Sequence, residues 1–159
     1  FPPDAPSRRQ ETRSFALAHM PGRMAGASGG AGLGHQVLRQ LQRTGLLLHL
    51  VDPAPFDEDV DPAGDARAIV EELRKYDESL FRKPRWLVLN KVDLIPQEDR
   101  DARIQAFLSA YARLVSEPEK TFIISALTGK GGSELTFAIM EHLQRTTRTE
   151  PTAGAESTD

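Results

Sequence analysis

Three short apolar runs, separated by stretches with helical spacing, constrain this chain more than any other feature of it. Leu46 to Asp52, Arg85 to Asn90 and Lys120 to Ser125 each end in a polar residue. The first two are nearly unbroken apolar sequence, the pattern of strands covered on both faces. Between them the period changes. Asp61-Pro62 offers a helix N-cap followed by proline at the first helical position, and Ile69, Val70 and Leu73 then share one side of a helix running to about Tyr76. Glu98 to Val115 spaces Ile104, Phe107, Leu108, Tyr111 and Leu114 as a second helix, and Gly132 to Gln144 spaces Leu135, Ile139, Met140 and Leu143 as a third. Upstream, Leu33 to Thr44 places Leu33, Val37, Leu38 and Leu41 on one face. Strands alternating with helices of this length predict an α/β fold, a parallel sheet with helices on both faces. Ligands of such sheets sit beyond the carboxyl ends of the strands, so the loops after the three runs are where chemistry is expected.

The ends read differently. Residues 1–13, rich in proline, arginine and acids, have no periodicity and are expected to be disordered; residues 146–159 form a polar tail with the same expectation. Ser14 to Ala18 is a short apolar stretch leading into the turn signal Pro21-Gly22, and Gly22 to Gly34 is too rich in glycine for regular structure. The 159 residues fit one domain. A net charge of −3 gives no sign of a nucleic-acid or membrane-surface binder. The absence of cysteine excludes disulfides and thiolate metal sites, and fits a cytoplasmic protein. No apolar run is long enough to span a bilayer.

Asn90-Lys91-Val92-Asp93 follows the second run and Ser125-Ala126-Leu127 the third. Asn-Lys-x-Asp alone is a weak pattern that a plain strand-to-helix loop can also produce. Together with Ser-Ala after the next strand it looks like the fourth and fifth guanine-nucleotide motifs of translation-factor-class GTPases. Several further stretches make the likeness more specific. Gly30-Ala31-Gly32-Leu33-Gly34-His35-Gln36, Leu47-Leu48-His49-Leu50-Val51-Asp52, Asp65-Ala66-Arg67-Ala68-Ile69 and Lys83-Pro84-Arg85-Trp86 closely resemble the Obg (CgtA) GTPases of bacteria. The resemblance covers residues 14–145 and implies a P-loop-NTPase-like three-layer sandwich, part of a G domain. It implies GTP or GDP as ligand, Mg²⁺ as the ion that accompanies it, and the large ribosomal subunit as partner.

The chemistry of the loop agrees with that expectation. Guanine presents N1–H and an exocyclic amine on one edge, and one carboxylate, here Asp93, can accept from both. Asn90 can brace the loop and offer its amide to the base. The Lys91 stem can lie against the purine face with its ammonium in water. The backbone N–H of Ala126 can donate to the guanine carbonyl, in a loop begun by Ser125 and continued by Leu127. Adenine lacks the paired donors, so such a site would discriminate against it.

Other parts of the pattern are missing. A phosphate cradle is a Gly-x-x-x-x-Gly-Lys-[Ser/Thr] loop, and the chain has none; Lys130-Gly131-Gly132-Ser133 follows the last strand and is not one. Where the family has Asp-x-Pro-Gly the chain has His19-Met20-Pro21-Gly22, and a histidine cannot give a hard cation a carboxylate. Pro21 and Gly22 keep the turn, and the Gly22 N–H can still meet a γ-phosphate. The switch I threonine of the family has no counterpart. The resemblance thus implies the base-recognition half of a G domain that lacks the P-loop strand and helix. No metal ligand and no catalytic residue is assigned, and no GTP hydrolysis is expected of the chain by itself. The alternative is a non-catalytic interaction module associated with the ribosome. An open sheet edge and marginal stability follow from the missing half. His49 reads as a satisfied core histidine, His35 as structural, and Asp57 to Asp61 as a solvated loop leading into a helix N-terminus.

Overall fold

The computed structural model describes residues 38–149, with side chains through residue 146. The Ser14–Ala18 stretch, His19, Pro21, Gly22, His35 and the start of the Leu33 helix lie outside the described residues, as do residues 150–159. The order of elements is β1 (Leu47–Val51), α1 (Pro62–Tyr76), α2 (Glu78–Phe81), β2 (Arg85–Leu89), a 3₁₀ turn (Val92–Leu94), α3 (Gln97–Leu114), β3 (Thr121–Ile123) and α4 (Gly132–Thr149). Residues 38–41 are also helical. The strands form one parallel sheet in the order β1-β2-β3. The α/β fold with a parallel sheet between helical layers is therefore the fold the sequence predicts.

Alternation along the strands assigns the layers. Leu47, His49 and Val51 lie opposite Arg85, Leu87 and Leu89 and share a face. On that face Leu87 and Leu89 pack with Ala63 and Ala66 of α1 and with Ile104, Phe107 and Tyr111 of α3. Leu47 packs with Leu38, Leu41, Leu73 and Leu80, so residues 38–41 lie on the same side. On the other face Trp86 lies against His142 of α4 (ring centroids 5.2 Å apart) and Phe122 of β3 (5.5 Å). Burying large aromatic and aliphatic side chains on both sides of β2 supplies about 1.5–3 kcal/mol each, and this strand anchors the molecule.

Local chemistry explains where helices begin. Pro62 opens α1 after an extended Asp61, as expected, although the Asp61 side chain makes no capping hydrogen bond; its carbonyl accepts from Asp65 N–H at 2.9 Å. Asp77 caps α2 with its carboxylate, which accepts from the N–H groups of Ser79 and Leu80. Several expectations are corrected. β1 is not buried throughout, because Leu50 is 55% exposed. Leu114 stands at the frayed end of α3 and is exposed, while Ile69 is only half-buried. The regular part of the third strand is shorter than Lys120 to Ser125. Finally, residues 146–149 are not a disordered tail but the last turn of α4.

His49 is a core residue, only partly satisfied. Its Nδ1 lies 3.3 Å from the Tyr111 hydroxyl, whereas its buried Nε2 has no partner. Burial, reinforced by the charge of Arg85, pulls its pKa down to about 4, so the ring is neutral at ordinary pH.

Candidate functional site

The loops that follow β1, β2 and β3 meet at one end of the sheet, and a few polar contacts tie them together. Asn90 immediately follows β2, and its N–H donates to the Val51 carbonyl at the end of β1, 2.9 Å away. Its side chain faces the other neighbour. Asn90 Oδ1 accepts from Lys91 N–H at 2.8 Å and from Ala126 N–H at 3.0 Å, bridging the loops after β2 and β3. A carbonyl oxygen has two lone pairs and both are used, which leaves the Nδ2 donors of the amide for other groups.

Lys91 adopts the left-handed backbone conformation (φ 64°) and turns the chain sharply into the 3₁₀ turn Val92–Leu94. Its Nζ lies 3.3 Å from Asp52 Oδ2, so the loop after β1 joins the other two. The second Asp52 oxygen accepts from Ala54 N–H at 3.1 Å. Sequence reasoning did not single out Asp52; its signal was an acid ending the first strand at the level of the motif loops. Asp93 sits half-buried in the 3₁₀ turn, and its carboxylate makes no hydrogen bond or ion pair with the described residues.

The loop after β3 is held by its own backbone. Ser125 is buried (1% exposed); its N–H donates to the Lys130 carbonyl at 3.0 Å, and its carbonyl accepts from Gly129 N–H at 2.9 Å. The Ser125 hydroxyl accepts from Thr128 N–H at 3.1 Å. Gly131 has φ 75°, and a Cβ there would collide with the Ile123 carbonyl oxygen, so glycine is required where the chain turns back along β3. Ala126 is exposed and Leu127 is 84% exposed at the rim.

Asn90, Lys91, Asp93, Ser125, Ala126 and Leu127 therefore stand on the two neighbouring loops where the sequence puts them. Pro21 and Gly22 lie outside the described residues. One expected donor is already engaged: the Ala126 N–H donates to Asn90, so it reaches a base carbonyl only by sharing that hydrogen or by a small opening of the clasp. The arrangement gives an open, polar rim with a free carboxylate, an amide with unused donors and an alkyl stem. A shallow groove along α4, lined by Gly129, Gly132, Ser133, Thr136, Phe137 and Met140, includes neither Asn90 nor Asp93.

Among the described residues no group of three or more His, Asp or Glu side chains could hold a metal ion. These residues do not fit the Mg²⁺ that the family resemblance implies; Asp52, an acid at this end of the sheet, is already engaged by Lys91 and Ala54. No described helix is long and apolar enough to cross a membrane. A comparison with models of known protein families finds none that matches the chain.

Proposed function

We propose that this chain binds the guanine base of a nucleotide at the rim formed by the loops after β2 and β3. The observation that supports this most is the Asn90 clasp. One side-chain oxygen joins Lys91 N–H to Ala126 N–H across two strand ends, and the half-buried Asp93 carboxylate stands one turn further on, unpaired. An unpaired carboxylate on a braced turn suits a ligand edge with two adjacent donors. A plain connecting loop has no need of a bridge to the neighbouring one. In this reading Asp93 accepts from the guanine N1–H and exocyclic amine, Asn90 positions both loops and offers Nδ2, and the Lys91 stem, held toward Asp52, lies along the purine face. The chain contains no phosphate cradle, so base recognition without hydrolysis is the activity proposed for it. GTP or GDP would be the physiological form of the ligand, the large ribosomal subunit the partner and the cytoplasm the compartment, each resting on the Obg resemblance.

The test is base specificity in the full chain, read by NMR titration with guanosine, adenosine and xanthosine at millimolar concentrations. Guanosine should perturb the Asp93 and Ala126 amides and adenosine should not. In Asp93→Asn the preference between guanosine and xanthosine should swing by at least about tenfold, since each mismatched buried group costs roughly 1–3 kcal/mol. An unchanged ratio would remove Asp93 from base recognition, and the absence of any guanosine response would end the proposal.

A further inference from the structure

The outer edge of β1 has no partner strand among the described residues, and it lacks the features that usually protect an edge. In the ladder to β2, Leu47 N–H donates to the Pro84 carbonyl and the Val51 carbonyl accepts from Asn90 N–H, both at 2.9 Å. In a parallel pair the residues that address the neighbour alternate with those that address the opposite side. Leu48 and Leu50 therefore direct their N–H and C=O groups away from β2. Native edges are normally blunted by lysine, proline, a bulge or inward-pointing charge. Leu47–Val51 has no lysine, proline or acid, and Leu50 is 55% exposed.

The topology says from which side another strand would come. The chain steps from β1 to β2 to β3 in one direction across the sheet. The helices of those two connections, α1 and α3, both pack on the face of Leu87 and Leu89. The helical residues 38–41, which lead into β1, pack on that same face through Leu38 and Leu41. Crossovers between parallel strands of one sheet keep one hand. A strand that precedes this helix and crosses over with the same hand must lie on the side of β1 away from β2, which is the open edge. Ser14-Phe15-Ala16-Leu17-Ala18 is an apolar stretch without charge, proline or glycine, and no feature of the nucleotide rim uses it. Residues 19–46 exceed the dozen or so that a parallel crossover needs.

We infer that Ser14–Ala18 adds to the sheet as a strand parallel to β1, pairing with the outward groups of Leu48 and Leu50 and helping to cover Leu50. The segment is tethered, so it competes at millimolar effective concentration against the same edge of a second copy. The inference is independent of the nucleotide reading.

Amide hydrogen exchange of the full chain, followed residue by residue by NMR at two protein concentrations, tests it. The Leu48 and Leu50 amides should exchange at least about tenfold more slowly than unstructured amides, equally at both concentrations. Ala16→Pro and Leu17→Pro are compared with the parent. Neighbouring strand residues face opposite sides, so one of the two prolines removes a donor aimed at β1. At least one variant should return Leu48 and Leu50 to fast exchange. The Leu47 and Val51 amides, which face β2, should stay protected and show that β1 is still folded. Fast exchange at Leu48 and Leu50 in the parent chain, or protection that survives both prolines, would overturn the inference. Protection that falls on dilution would overturn it in favour of a second copy.

Discussion

β1 and β2 read almost alike as sequence, Leu-Leu-His-Leu-Val against Arg-Trp-Leu-Val-Leu, and they fare differently in the fold. Trp86, Leu87, Val88 and Leu89 are all fully buried, whereas β1 alternates between buried and open positions and leaves Leu50 exposed. Composition does not make this difference. β2 has a strand on each side, α1 and α3 on one face and α4 on the other. β1 has a strand on one side only, and α4 covers the part of the sheet nearer Trp86. An apolar run states that a strand can be buried; its place in the sheet order decides how much of it is.

The largest effect expected from this contrast is on stability. Leu89→Ala opens a cavity between α1, α3 and the sheet and should cost about 2–5 kcal/mol. Leu50→Ala, which removes an already exposed side chain, should cost about 0.5 kcal/mol or less. Urea unfolding of both variants gives the comparison. Equal losses would mean that β1 is as enclosed as β2 and that its outer side is covered tightly.

How much of this was legible beforehand follows from the same contrast. The strands, their parallel arrangement, α1 from Asp61-Pro62 and the placing of Asn90 and Ser125 at strand ends all come from periodicity and local turn chemistry, which a single sequence carries. The exposure of Leu50 and Leu114, the half-satisfied state of His49 and the Asp52–Lys91 pair depend on which elements become neighbours, which local pattern does not encode. The Ala126 N–H was identified as a donor from its position, but its partner, Asn90, lies across the sheet. The continuation of α4 to Thr149 was missed because Thr-Thr-Arg-Thr has weak helix propensity and is carried by the helix before it.

A second prediction sharpens the comparison on the inner side of β1. His49 is neutral in the fold, with a pKa lowered to about 4 by burial and by Arg85. The unfolded chain, with an ordinary histidine near 6.5, binds the proton first. The native state is thus the one that holds fewer protons, and the stability linked to His49 is fully present above about pH 6.5. It falls as the pH drops from there toward 4, below which both states are protonated and the loss levels off. From pH 7 to pH 5 the linkage amounts to about 2 kcal/mol. Urea midpoints of the parent and His49→Gln measured at both values isolate the term, because the carboxylates are common to the two proteins. If both lose the same stability on acidification, His49 is not held neutral by its surroundings.

The smallest effect concerns the one ion pair that links β1 to the site loops. Lys91 and Asp52 are 3.3 Å apart with side chains 57% and 27% exposed. At that exposure water and salt screen the attraction, and such pairs contribute about 0.2–1 kcal/mol. Asp52 differs from an ordinary surface partner in being held on its other oxygen by Ala54 N–H, so less side-chain freedom is lost when it meets Lys91. A double-mutant cycle of Asp52→Asn and Lys91→Gln should therefore return a coupling in the upper part of that range at low ionic strength. In 1 M salt, where charges are screened over about 3 Å, the coupling should shrink to near zero. A coupling that does not change with salt would mean that the pair is held by packing rather than charge. No measurable coupling at low salt would leave β1 joined to this rim only through the backbone bond from Asn90 to Val51.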